Sequence, residues 1–375
     1  MKNADPGKKI YILEADPTRF GGIQQFVRNL AGYLPKERTF LLAYYRDLAK
    51  EKEIPVPLIR LNGTEDRCKR KNSIYLSGSS LLRSLALLFD LFRIRKNLAK
   101  ILKGGDTLVV NAASAMLLFC SRKVLKNNRI VMVMHTAPRM LFRRSYNFGG
   151  IFRKYKISLF RRYVDEVVLL SPYEKPELET WLPLQGKRCT VIRHAVEFPE
   201  KLPERYPRAA AVLARLVTLK RIDRVIACAK LLPDVRFNIY GTGPEEEHLK
   251  AMAETLPNVC FRGYTNDIEN VFRENSVLLI TSEYEGYPVS GIEACVHGRP
   301  VVSLDTFPAV RDLIEDRNSG LIVTEPSPEA LADAVRNVLA DHEKFREGAL
   351  GHRKLYAPET ACRAWNELLL TETGR

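Results

Sequence analysis

The chain has 375 residues, 46% hydrophobic and 27% charged, which suits two globular domains of ordinary size. Its seven cysteines form no C-x-x-C pair and read as reduced thiols, not as a disulfide frame or a zinc site. The net charge of +15 is uneven: residues 1–200 carry +19 and residues 201–375 carry −4, so the first half suits an anionic surface or polymer.

The first twenty residues, MKNADPGKKIYILEADPTRF, contain no apolar core of a secretory signal. No stretch reaches the roughly 18 apolar residues of a membrane-spanning helix. A soluble, cytoplasmic protein is therefore expected. Strands are predicted at 9–15, 39–45, 107–113, 129–136, 165–171 and 189–195, with a helix over IQQFVRNLAGYL after Gly21 and Gly22. The segment EFPEKLPERYPRAA (197–210) has no periodicity and holds Pro199, Pro203 and Pro207, so it reads as a linker. The pattern then restarts with strands at 209–217, 235–241, 259–263, 276–282, 300–305 and 320–323, and a helical tail from Pro358 to Leu370. Short strands alternating with helices predict parallel sheets. The expected architecture is two Rossmann-like α/β domains, with a ligand cleft between them. The boundaries are 1–197, a linker at 198–208, 209–357, and a C-terminal helix at 358–375 that packs back on the first domain.

The segment SEYEGYPVSGIEACVHGRPVVSLD (282–305) carries most of the chemistry. A strand ends, EYEGYP turns, and Pro288 stands where a helix is about to begin. Glu285 then lies outside the carboxyl end of a strand, where open α/β sheets bind ligands. The helix start offers free backbone N–H groups to a phosphate. Glu293, one turn inside, can accept hydrogen bonds from paired ribose hydroxyls. The plainer alternative makes Glu285 a solvated turn residue and Glu293 a cap for a neighbouring loop.

EGYPVSGIEA followed by GRPVV resembles the E-x7-E signature of family 4-like glycosyltransferases of the GT-B fold. ARLVTLKRIDRVIACAKLL resembles that family's R-L-x4-K-x-x-D segment, and VRFNIYGTGPEEEHL its G-x-G-P-x4-L segment. The order and spacing agree over roughly 210–325. In the first half FGGIQQFVRNLA and VMHT resemble the early glycine pair and the mid-domain histidine. DTFPAVRDLIEDRNSGLIV is similar to bacterial members that decorate teichoic acids, surface polysaccharides or glycoproteins.

The resemblance implies a nucleotide diphospho-sugar donor, with UDP favoured, and no other cofactor. Arg215 and Lys220 are expected on the diphosphate, where two cations meet the charge that grows on the leaving group. Glu293 is expected on the ribose. Glu285, with the backbone of Gly286, Tyr287, Pro288 and Val289, is expected on the transferred sugar. Tyr264 is either a neighbour of the base or a strand-end tyrosine. Gly241 and Gly243 either approach the donor or make a tight turn, and Gly21 and Gly22 either admit the diphosphate or open a helix. His135 either faces the sugar or is structural. No D-x-D triplet occurs, so no metal is expected. Retention of anomeric configuration is implied by the resemblance alone.

Segments 80–103 and 138–163 mix leucines and aromatics with Arg and Lys, as interfacial helices do at anionic membranes; 80–103 equally fits a Rossmann helix with an apolar core face and a solvated basic face. The expected partners are a nucleotide-sugar donor, a glycan, lipid-linked or polyanionic acceptor, and an anionic membrane surface. Two rival readings are a non-catalytic glycosyltransferase-like partner subunit and a nucleic-acid-binding protein using the basic half. No RRM-like, zinc-finger or KH signature supports the latter.

Overall fold

A computed structural model describes residues 7–14, 17, 21–43, 54–61, 92–111, 120–136, 138, 149–182, 184 and 186–371. The chain divides into two compact units. One comprises 1–170, 175–192 and 361–375, the other 171–174 and 193–360.

The first unit is built on a seven-stranded sheet: β1 (Ile10–Glu14), β2 (Thr39–Ala43), β3 (Leu58–Arg60), β4 (Thr107–Asn111), β5 (Arg129–Met134), β6 (Glu166–Leu169) and β7 (Arg188–Val191). The order is β3-β2-β1-β4-β5-β6-β7. Every pairing is parallel, from Leu41↔Leu58 at one edge to Val167↔Cys189 at the other. Strands β1 and β4 are buried along their whole length, as parallel strands covered on both faces must be. Helix α1 (Gly22–Tyr33) buries Phe26, Val27, Leu30 and Ala31, a spacing that puts one stripe against the sheet. The three-residue β3 was not anticipated, being too short to show a period.

In the second unit β8 (Ala209–Leu213), β9 (Arg236–Tyr240), β10 (Val259–Gly263), β11 (Val277–Ile280), β12 (Val301–Leu304) and β13 (Gly320–Val323) form a parallel sheet. Its order is β10-β9-β8-β11-β12-β13. Its core gathers Val225, Ile226, Phe237, Ile239, Val277, Val302 and Val335, all fully buried. The predicted strands 209–217 and 276–282 stop earlier, at Leu213 and Ile280. Beyond Leu213 the pairing thins to single bonds, Ala214 N to Tyr240 O and Leu216 N to Thr242 O, and beyond Ile280 the backbone bonds to the loop after β8, Glu283 N donating to Leu219 O.

Residues 198–208 carry no helix or strand. Arg299, fully buried, fixes this stretch: its Nη2 donates to Arg205 O at 2.8 Å, its Nε donates to Phe272 O at 2.8 Å, and its guanidinium lies over the Tyr206 ring. The tail helix, α2 (Pro358–Leu370), buries Trp365 5.7 Å from the Phe26 ring, and Asn366 Nδ2 donates to Tyr33 O at 2.8 Å. Of the two basic segments, residues 80–91 and 139–148 lie outside the described residues. In the rest, Phe92 and Tyr155 are exposed, and Leu98 and Phe160 are buried. Among the described residues no helix is long and apolar enough to cross a membrane.

Candidate functional site

Strands β8 and β11 lie side by side although about sixty residues separate them, and the sheet continues from them in opposite directions. This is the topological switch point of the second sheet, where loops leaving the strand ends diverge and open α/β folds take ligands. Arg215 and Lys220 follow β8. Glu285 and Glu293 follow β11.

The two loops are stitched together. After β8 the chain makes a single 3-10 turn at Thr218–Lys220, closed by Arg221 in the left-handed conformation at φ 50°. Thr281 Oγ1 lies 3.2 and 3.0 Å from the carbonyl oxygens of Lys220 and Arg221, and Glu283 N donates to Leu219 O at 2.9 Å. Across this seam Lys220 Nζ forms an ion pair with Glu285 Oε1. Ser282 Oγ donates to the same carboxylate oxygen at 2.6 Å. Sequence reasoning missed Ser282, although its place three residues before Glu285 on a tight turn is the signal.

Gly241 and Gly243 serve a close approach of backbones. A Cβ at Gly241 would stand 1.9 Å from Ala214 O, and one at Gly243 2.2 Å from Leu216 O. Ala214 N donates to Tyr240 O and Leu216 N to Thr242 O. Both neighbours of Arg215 are thus pinned, and its exposed guanidinium has no partner among the described residues. Tyr264, 56% exposed, stands beyond the end of the edge strand β10, outside this bonded set.

The expected helix after the turn is α3 (Val289–Val296), begun at Pro288 and followed by Gly298 at φ 66°. Its first turn carries no acid, so no side chain of that turn offsets the positive helix end. A Cβ at Gly291 would meet Leu313 Cδ2 at 2.4 Å, so glycine there lets the helix lie close to that residue. Glu293 is half-buried, and no group among the described residues bonds its carboxyl. Burial pushes its pKa up to about 7. Gly286 and Val289 are half-buried; Pro288 is buried. Tyr287, expected at the donor, turns its side chain inward: its hydroxyl lies 3.2 Å from Asp312 Oδ2 and 2.8 Å from the Tyr356 hydroxyl. Only its backbone is left for a ligand.

In the first unit Gly21 is the N-cap of α1 at φ 156°, and Gly22 is the first helical residue. His135 follows β5. Its Nε2 lies 2.9 Å from Asn111 Oδ1 and its ring packs edge-on against Phe26 at 4.5 Å. His135 thus follows β5 and packs on α1, the helix that the glycine pair begins.

A family model described as "Glycosyl transferases group 1" matches residues 196–349, and one described as "Glycosyltransferase Family 4" matches residues 20–199. A poly(glycerol-phosphate) alpha-glucosyltransferase of Bacillus subtilis is 27% identical over 166 residues, covering 42% of this chain and 25% of the relative. A poly(ribitol-phosphate) alpha-N-acetylglucosaminyltransferase of Staphylococcus aureus is 31% identical over 170 residues, 42% of this chain and 34% of that one. The match thus spans a quarter to about a third of the length of these two relatives. Among solved structures, Anabaena HepE in complex with UDP and glucose superposes with a TM-score of 0.73 at 16% identity, over 96% of this chain and 99% of that one. With two matches that together run from residue 20 to 349 and this likeness of fold, the chain belongs to the family 4-like glycosyltransferases of the GT-B fold.

Proposed function

We propose that this protein is a retaining, metal-independent glycosyltransferase that moves a hexose or N-acetylhexosamine from a UDP-sugar to an anionic cell-surface polymer, a glycan or a lipid-linked glycan. The observation that carries the reading is the grouping at the switch point: the Lys220–Glu285 pair, with Arg215 and the half-buried carboxyl of Glu293 left without a side-chain partner among the described residues.

When the bond between the sugar and the diphosphate breaks, negative charge grows on the leaving phosphate. Arg215 and Lys220 are fixed cations that stabilise that charge more in the transition state than before it. They supply the positive charge that a divalent ion supplies in other transferases. Glu285 holds the Lys220 ammonium in place before a donor arrives and then shares it with the diphosphate. Its own carboxylate accepts hydroxyls of the transferred sugar, beside the backbone of Gly286 and Val289. Glu293 takes the ribose hydroxyls. Gly21, Gly22 and His135 are assigned to the diphosphate and the sugar from the first unit, and Tyr264 to the base. The donor assignment is supported by the HepE complex with UDP and glucose, and the acceptor class by the polyanionic polymers named for the two relatives. The positive excess of residues 1–200 suits such an acceptor, or an anionic membrane face from which it is presented.

The test is nucleotide release from UDP-, GDP- and ADP-sugars, with Glu293→Ala and Lys220→Ala in parallel. Release from a UDP-sugar alone, lost in both variants, supports the reading. Nucleotide binding without turnover, with or without added polymer, identifies a non-catalytic partner subunit. Absence of any nucleotide binding overturns the proposal.

A further inference from the structure

A loop that meets a sugar through its backbone has to be held still by something else. In the turn Glu285–Val289 the buried side chains are those of Tyr287 and Pro288. The Tyr287 hydroxyl donates to Asp312 Oδ2 at 3.2 Å, twenty-five residues on. Asp312 is itself clamped. Arg193 Nε donates to its Oδ2 at 2.8 Å and Arg193 Nη2 to its Oδ1 at 2.7 Å, the bidentate geometry that fixes a carboxylate in orientation as well as in place. The Asp312 carbonyl lies 2.7 Å from His352 Nε2.

The two phenols close the cluster. The Tyr287 hydroxyl lies 2.8 Å from the Tyr356 hydroxyl, and the Tyr356 hydroxyl in turn lies 3.2 Å from the Asp312 carbonyl oxygen, so both tyrosines meet Asp312. Burial holds both phenols well above their ordinary pKa, so both keep their protons. The backbone carbonyl of Tyr356 accepts from Val196 N at 3.2 Å. Arg193 is the residue at which the chain passes from the first unit into the second, and Tyr356 lies four residues before the return crossing at Thr360. The close approach of Gly291 to Leu313, next to Asp312, sets α3 against the same turn.

We propose that Tyr287 and Asp312 are positioning residues that hold the donor-sugar loop 285–289 to Arg193, so that the loop's placement is set at the point where the chain enters the second unit. The inference rests on the donor assignment above for its consequence in catalysis, but not for the coupling itself. Neither residue touches the reacting atoms; each acts through the backbone it holds. A purely space-filling role would need the tyrosine rings and not their hydroxyls.

The experiment compares Tyr287→Phe and Arg193→Lys with the unaltered chain. Tyr287→Phe keeps the ring, and Arg193→Lys keeps the charge but loses the bidentate fork. Amide exchange is read on the peptide 283–290, with 292–304 as the control within the same unit, and UDP affinity and donor turnover are measured alongside. The expected result is exchange at 283–290 about tenfold faster in both variants while 292–304 is unchanged. UDP affinity stays within about twofold and kcat falls about tenfold. Exchange at 283–290 that matches the unaltered chain, or that rises equally at 292–304, overturns the coupling. Tyr356→Phe is the second variant should Arg193→Lys fold poorly; it should loosen 283–290 by a smaller factor, and no change there counts against the proposal. If the unaltered chain binds no nucleotide, the donor assignment fails, and the exchange data still decide the coupling.

Discussion

Lys220 and Glu285 form an ion pair across the seam between the loops that leave two adjacent parallel strands, and Ser282 donates to the same carboxylate oxygen. On the proposed assignment, this pair holds the cation where the diphosphate is expected. Replacing Lys220 by Ala is expected to cost about 2.7–4 kcal/mol of barrier, a 10²–10³-fold loss in kcat. Donor hydrolysis measured at saturating UDP-sugar checks it. Ser282→Ala should give a smaller loss, since it loosens the carboxylate and leaves the charge.

Glu293 leads to a pH dependence. Its pKa is raised to about 7 by burial, so below that pH the carboxyl is protonated and, on the proposed ribose assignment, a poorer acceptor for two hydroxyls. UDP affinity is expected to fall as pH drops through 7, by up to about tenfold per unit, and Glu293→Gln should remove most of that slope. Calorimetric titrations at pH 5.5, 6.5 and 8 decide it. Stability should move the other way. Because the folded pKa lies above the unfolded value, the folded state holds the extra proton, and this group's contribution weakens as pH rises from 4.5 towards 7. The Gln variant should therefore gain most, relative to the native chain, at pH 8.

Three glycines in the second unit separate two kinds of requirement. At Gly241 and Gly243 a side chain would run into a backbone carbonyl that cannot step aside. Alanine at either is expected to cost on the order of 3 kcal/mol or more, beyond the ordinary price of overpacking. At Gly263, φ 69°, a Cβ meets nothing within 4 Å. Alanine there should cost only the left-handed backbone, about 1–2 kcal/mol, and Asn less. Thermal melts of the three Ala variants give the order.

Trp365 is the largest fully buried side chain of the described residues. Trp365→Ala is expected to cost about 3–5 kcal/mol, whereas Asn366→Ala, which gives up the bond to Tyr33 O, should cost about 1 kcal/mol. Denaturant unfolding followed by far-UV circular dichroism measures both.

Much of this arrangement was legible in the residues. The runs VCFRG and GLIV are strands over their whole length, and α3 starts at Pro288 and stops before Gly298, because short β-rich runs and Pro/Gly punctuation are local signals. The E-x7-E spacing placed both glutamates correctly about the turn. What stayed hidden depends on distant partners. Nothing near Tyr287 announces that its side chain turns inward, that Asp312 lies within reach or that Arg193, 119 residues before Asp312, fixes that acid. The glycines of the G-x-G segment suited either a turn or a ligand, and only the contact with Ala214 and Leu216 shows what they admit.

The Trp365 helix also bears on how the protein is made. The chain leaves the first unit after Ile192 and does not return to it for good until Ala361. A ribosome that has delivered β1 through β7 has therefore not yet supplied the indole that packs beside Phe26. The second unit has nearly all its residues in one uninterrupted run and can mature during synthesis. The first must wait with the Trp365 side of Phe26 uncovered until that helix emerges, so it is the older unit in sequence and the younger one in time.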